Sequence, residues 1–178
     1  TLAQALATGP ADVATAVDYS LQICAALAEA HRAGLIHRDI KPSNLFLTRR
    51  ADGRALLKVM DFGIAKWTGA GGAITAPAVV LGSPGYLAPE QAKDARSVDA
   101  RADIWAIGAV LHELLSGQPL HGGAPGDTPG AHRLLGHARP LPPSVPPALR
   151  ATLDRCLAPD RAARYPHVAA LAADLAIF

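Results

Sequence analysis

The sequence predicts an α+β fold that is mainly helical and carries one small β-hairpin. Three observations predict it. Apolar residues recur at three- and four-residue steps over residues 12–32. Residues 102–116 form a second, more apolar helical stretch. Two short apolar runs, 45–47 and 56–60, flank a polar segment containing the turn dipeptide Asp52-Gly53.

In residues 12–32, Val13, Val17, Leu21, Cys24 and Ala28 stack on one helix face. Asp12 supplies an N-cap and Gly34 a C-terminal stop. Leu35 and Ile36 then lead into His37-Arg38-Asp39, where helical spacing ends, and the hairpin follows. Residues 62–90 are rich in glycine and proline and predict a long loop. A loop of that length in a compact domain is usually functional, against the plainer reading of a linker. In residues 102–116, Ile104, Ile107, Val110, Leu111, Leu114 and Leu115 cover much of the circumference, which predicts a central helix. Gly117 and Pro119 end it. Residues 122–130 and 140–147 read as loops with a short helix between them, and 149–157 and 167–175 as two closing helices.

Bulk properties narrow the function classes. The chain has 178 residues, half of them hydrophobic, enough for one domain with its own core. The formal charge is +2, and Arg49-Arg50 is the one adjacent basic pair, so nucleic acid and anionic membranes are not expected partners. Cys24 and Cys156 lie far apart among apolar neighbours. They are expected to be buried thiols in a reducing compartment rather than a zinc site or a disulfide. No apolar run approaches the roughly 20 residues of a membrane-spanning helix, no signal peptide is visible, and no internal repeat stands out. The chain begins with Thr1, so its natural start is expected upstream.

The chemistry gathers around the hairpin. His37 to Asn44 precede the first strand, and Asp61-Phe62-Gly63 follow the second. Folding back should bring Asp39, Asn44 and Asp61 to one end. Two carboxylates and an amide suit hard cations, and Lys41, two residues past Asp39, suits a phosphate. This arrangement fits phosphoryl transfer, where the protein contributes positioning and charge rather than covalent chemistry. Taken singly, Asp39 or Asp61 reads as a surface charge or cap, and His37 as a satisfied core histidine.

HRDIKPSN, then DFG, GSPGYLAPE and DIWAIG, resemble in order and spacing the motifs of the protein kinase family. The resemblance runs from about residue 2 to 175. It implies the family's C-terminal lobe over 1–178, with a catalytic loop at 37–44, DFG at 61–63 and an activation segment at 61–90. It implies ATP and Mg²⁺ as cofactors. Asp39 is then the base that accepts the substrate hydroxyl proton, and Asn44 and Asp61 are the Mg²⁺ ligands. Lys41 contacts the γ-phosphate and marks the serine/threonine class, since the tyrosine-specific pattern places arginine differently. Phe46 lies beneath adenine. His37 and Phe62 belong to a stacked hydrophobic column, and Gly63 completes the DFG motif.

The resemblance also implies regulation. Arg38 beside the base wants an anionic partner on a phosphorylated loop. Thr75 is the candidate phosphosite and Thr68 the second; Pro77 stands where another threonine is often found, and Thr75 also reads simply as a solvated loop residue. Ser83, in a position usually held by threonine, is expected to hydrogen-bond Asp39 and Lys41, with Tyr86 and Pro84 shaping the substrate groove. Glu90 is expected to pair with Arg164, and Asp103 to hold the catalytic loop through backbone N–H groups, with Trp105 and Gly108 completing that helix motif.

The smaller, ATP-clamping lobe is not found. No GxGxxG precedes residue 37, nor does a Val-Ala-Ile-Lys strand or a partner glutamate helix. The expectation is a serine/threonine protein kinase with a signalling role, whose 178-residue piece is inactive alone. Protein substrates with Ser/Thr acceptors are its implied partners, together with self-association for autophosphorylation. A cytoplasmic location is implied, alone or as part of a longer membrane-anchored protein. Two other readings are a pseudokinase-like docking module and a small-molecule phosphotransferase. Lys41 and residues 88–90 speak against the second of these.

Overall fold

The computed structural model describes residues 1–62, 85–93, 97–120 and 139–178. Among these, six helices and one two-stranded antiparallel sheet follow in the order α1 (Leu2–Leu6), α2 (Val13–Arg32), β1 (Leu45–Arg49), β2 (Ala55–Val59), α3 (Pro89–Lys93), α4 (Arg101–Ser116), α5 (Pro147–Cys156) and α6 (Val168–Leu175). Short 3₁₀ turns cover Pro42–Asn44 and Arg161–Ala163.

Helix α2 starts where its cap predicts. The Asp12 carboxylate accepts the Thr15 N–H at 2.7 Å, and that bond holds its pKa below the usual carboxylate value. The helix ends in a Schellman motif: Gly34 N–H donates to His31 O at 3.0 Å and Leu35 N–H to Ala30 O at 2.9 Å. Gly34 sits at φ 74°, a conformation that costs glycine little. The buried stripe is rotated in part from the one read in the sequence. It keeps Val17 and Cys24 and adds Ala16, Ser20, Ile23, Leu27 and Ala30, while Val13, Leu21 and Ala28 are half-buried. Small residues allow the rotation, and the buried Ser20 hydroxyl is satisfied by Ala16 O at 2.8 Å.

Helix α4 is the centre. Its buried side chains run all the way round, from Ala102 to Leu115, and it packs on α2, α5 and α6. Gly108 permits the approach to α5, because a Cβ there would lie 2.7 Å from Cys156 Cβ. Ile23, Leu27, Ile104, Ile107, Leu111, Leu149, Leu153, Leu171 and Leu175 form the main core. Cys24 and Cys156 are buried, free thiols within it; burial pushes the Cys24 thiol up to about 12.

The hairpin pairs Leu45 with Val59 and Leu47 with Leu57. Its turn places Gly53 at φ 83°, and Asp52 accepts the Arg54 N–H at 3.0 Å. The first strand runs on to Arg49, and Met60 lies just past the second. Helix α5 begins at Pro147, earlier than the apolar spacing predicts, because proline's fixed φ suits a first helical turn. His167 caps α6, accepting the Ala170 N–H at 3.1 Å. The predicted loop over 62–90 ends in helix α3. The helix predicted between residues 130 and 140 lies outside the described residues. No helix among the described residues is long and apolar enough to cross a membrane.

Candidate active site

Asp103, in the first turn of α4, is completely buried. Its carboxylate is fully used. Oδ2 accepts the His37 N–H at 2.9 Å and Oδ1 the Arg38 N–H at 2.8 Å. His31 Nε2, from the last turn of α2, lies 2.8 Å from Oδ2. A buried carboxylate stripped of these partners would be costly. This carboxylate ties the segment after α2 to the central helix.

The tied segment is bent. Arg38 (φ 64°) and Asp61 (φ 54°) are the two non-glycine residues in the left-handed region among the described residues. Each such conformation costs about 1–3 kcal/mol and persists only where its surroundings enforce it. For Arg38 the enforcers are Asp103 and Gln91, whose Nε2 donates to Arg38 O at 3.0 Å. His37 is buried; Asp39 N–H donates to its Nδ1 at 3.3 Å. That leaves the ring proton on Nε2, which donates to Met60 O at 2.9 Å. The His37 and Phe62 rings lie 4.6 Å apart, centroid to centroid.

The 3₁₀ turn Pro42–Asn44 aims Asn44 back at Asp39. Asn44 Nδ2 donates to Asp39 O at 2.8 Å and to Asp39 Oδ2 at 3.2 Å. Lys41 Nζ stands 3.0 Å from the same Oδ2. Met60 N–H donates to Asn44 O at 2.9 Å, which closes the hairpin and sets Asp61 one residue beyond Asn44's backbone partner. Asp61 is exposed and has no hydrogen-bond or ion-pair partner among the described residues. Asp39, Lys41 and Asn44 are therefore in direct contact, and Asp61 is brought alongside through the backbone.

The donor chemistry suits a hard cation. Asn44 spends its amide N–H groups on Asp39, so Oδ1 takes part in neither bond, and Asp61 offers a carboxylate. No cluster of three or more His, Cys, Asp or Glu side chains able to hold a metal occurs among the described residues, so any cation here depends on the amide. Phe46, on β1, is 52% exposed and presents an apolar surface on the hairpin. A cavity of about 380 Å³, lined by His112, Arg139, Arg150 and Leu153, contains none of these residues. Asp39, Lys41 and Asn44 converge beside the hairpin, away from this cavity.

A second polar group lies across α4. Arg164 is 2% exposed and forks onto Glu90, with Nη1 to Oε1 at 2.7 Å and Nη2 to Oε2 at 2.8 Å. It also donates to Ala158 O at 2.8 Å and stacks over Trp105 at 5.0 Å. Tyr86 donates its hydroxyl to Glu113 Oε2 at 2.5 Å. Burial holds the Glu113 carboxyl above the usual carboxylate range despite that bond. Nothing in the sequence singles out His31, Gln91 or Glu113; each is a polar residue on a helix whose partner is distant in the chain. Gly63, Thr68, Thr75, Pro77, Ser83 and Pro84 lie outside the described residues.

The family model of the protein kinase domain matches residues 1–175. The chain is 43% identical over 157 residues to the serine/threonine-protein kinase Pkn1 of Myxococcus xanthus, covering 84% of this chain and 22% of that protein. It is 39% identical over 175 residues to the serine/threonine-protein kinase PknB of Mycolicibacterium smegmatis, covering 94% of this chain and 27% of that protein. A probable serine/threonine-protein kinase of Streptomyces coelicolor is 40% identical over 157 residues. The chain thus spans about a quarter of the length of these relatives. With the family model matched along nearly its whole length, the chain belongs to the protein kinase domain family.

Proposed function

We propose that these residues form the catalytic half of an enzyme that moves the γ-phosphoryl group of ATP to Ser or Thr hydroxyls of proteins. The observation that carries this reading is the contact between Asp39, Lys41 and Asn44, with Lys41 Nζ 3.0 Å and Asn44 Nδ2 3.2 Å from one carboxylate oxygen. Those contacts fix the plane of the Asp39 carboxylate, so that it can take the proton of an incoming hydroxyl. Lys41, a point charge on a flexible stem, sits where it can also meet a transferring phosphoryl oxygen. Mg²⁺ would be held by Asn44 and Asp61; when bound it neutralises the phosphate charge. Phe46 offers its exposed ring to the adenine. His37 and Phe62 support Asp61 from behind.

In the same reading Arg38 senses a phosphorylated loop, at Thr75 or Thr68, and Ser83 and Tyr86 border the groove that takes the protein substrate. Self-association would serve phosphorylation of that loop. Residues 1–178 supply the C-lobe only. No lysine precedes Lys41 and no glycine-rich phosphate loop precedes residue 37, so these residues by themselves transfer phosphate negligibly.

The test is a transfer assay with γ-labelled ATP and Mg²⁺. It compares residues 1–178 with the natural protein that contains them, on protein acceptors and on small-molecule alcohols. The expected result is label on protein Ser or Thr by the longer protein and almost none by residues 1–178. Label on small molecules in preference to protein would contradict the assignment.

A further inference from the structure

The side chain of Gln22, on α2, forms a clamp on the hairpin. Its Oε1 accepts the Leu57 N–H at 2.8 Å, and its Nε2 reaches Ala55 O at 3.4 Å while donating to Asp18 Oδ2 at 2.8 Å. Both partners lie on the outer edge of β2. Met60 N–H bonds Asn44 O and Arg50 N–H bonds Arg54 O, so the even-numbered pairs of the β1–β2 ladder exchange hydrogen bonds. Leu57 and Ala55, opposite Leu47 and Arg49, then turn their N–H and C=O groups away from β1. The Gln22 carboxamide meets this edge as one peptide group of a neighbouring strand would. A two-stranded hairpin has little stability of its own, and Leu57 is buried, so its N–H needs this partner.

What the clamp holds is the spacing of the site. Strand β2 runs directly into Met60 and Asp61, and Met60 is bonded to Asn44. The other end of α2 reaches Asp103 through His31, and Asp103 holds His37 and Arg38. One helix thus touches both the strand that carries Asp61 and the anchor of the loop that carries Asp39. We infer that Gln22 is a positioning residue for phosphoryl transfer, setting β2 against α2 and so fixing Asp61 relative to Asp39 and Asn44. The inference rests on the function proposed above. A residue that only supports the fold would lower stability and leave the kinetic constants of the folded fraction unchanged.

The experiment uses the natural full-length protein with Gln22→Leu, which removes both polar atoms, and with Gln22→Glu combined with Asp18→Asn, which keeps the acceptor for Leu57 and lets the new amide at position 18 donate back to the carboxylate. Tyr165→Phe, which removes the hydroxyl bonded to Asp174 at 2.6 Å, serves as a loss of stability away from the hairpin. Gln22→Leu is expected to lower kcat by about tenfold or more, since small misplacements at a reacting centre are amplified in rate. It is also expected to raise the Mg²⁺ concentration needed for half-maximal rate several-fold, with KM for the protein acceptor unchanged. The Gln22→Glu/Asp18→Asn double variant should recover part of the loss, and Tyr165→Phe should change neither constant. Wild-type kcat and Mg²⁺ dependence in folded Gln22→Leu would overturn the inference.

A readout without turnover separates this from failure of the proposed function. By amide NMR, Gln22→Leu should speed exchange at Leu57 and shift the Asn44 and Asp61 resonances. Shifts confined to residues 55–59 would overturn the inference whether or not the wild type transfers phosphate.

Discussion

Two charged groups in this molecule use similar chemistry to opposite ends. The Arg164–Glu90 pair is sealed. The arginine side chain is 0% exposed and its fork is matched by both carboxylate oxygens, with a backbone carbonyl and the Trp105 face taking up the rest. At the hairpin, Lys41 and Asp39 keep side-chain exposures of 20% and 11%, and Asp61 stands exposed without a partner among the described residues. The first group binds distant segments, α3 and the chain before α6. The second is held by backbone pins from behind and faces outward. A planar, always-charged guanidinium suits the sealed role, and a mobile ammonium suits the open one.

Breaking each group should therefore give different signatures. Lys41→Met in the full-length protein should lower kcat by about 10²–10³, the usual cost of one electrostatic contact to a transition state, while its thermal midpoint stays near wild type; parallel kinetics and calorimetry check both halves. Arg164→Met should do the reverse. It leaves the Glu90 carboxylate without its partner and should cost about 3–5 kcal/mol of stability, read by denaturant unfolding. Arg164→Lys should recover only part of that loss, because the fork is gone.

Gly108→Ala sharpens the comparison by attacking packing with no charge involved. The new Cβ would meet Cys156 Cβ at 2.7 Å, and overpacking of this kind costs about 1–3 kcal/mol. The same unfolding measurement checks it. A smaller effect is expected at the half-buried Glu113. Its folded pKa is raised by burial and partly restrained by the Tyr86 hydroxyl, so Tyr86→Phe should push it further up, as read by carboxyl carbon shifts during an NMR pH titration. An acid whose folded pKa exceeds its unfolded one is penalised as pH rises through the unfolded value, and the full penalty is present above the folded value. Tyr86→Phe should deepen that loss above pH ~4.5.

The long elements were legible in the sequence because local chemistry sets them. Asp12 and Gly34 bracket α2 with a cap and a Schellman turn, and Asp52-Gly53 marks the hairpin. The apolar circumference of residues 102–116 announced a central helix. The buried face of α2 was legible only in part: Val17 and Cys24 lie on it as read, but Ala16 and Ser20 give no apolar signal of their own. The five-residue helices α1 and α3 carry too few turns for periodicity to register. In the site, the hairpin signalled that Asp39, Asn44 and Asp61 share one end, but the contacts of Lys41 and Asn44 with Asp39 depend on the 3₁₀ turn at Pro42–Asn44, which spacing alone does not show. His31 and Gln22 were not legible either, since their partners lie 72 and 35 residues away and a polar side chain on a helix ordinarily reads as solvated.

In the proposed function Asp39 is the base, held in place by Lys41 and Asn44. The most direct measurement is the single-turnover rate of phosphate transfer to a protein acceptor by the full-length protein and its Asp39→Asn variant, with equal thermal midpoints required. The expected rate in the variant is lower by about 10²–10⁴, the usual worth of a positioned base, with ATP binding retained. An Asp39→Asn protein that transfers phosphate at the wild-type rate would contradict it.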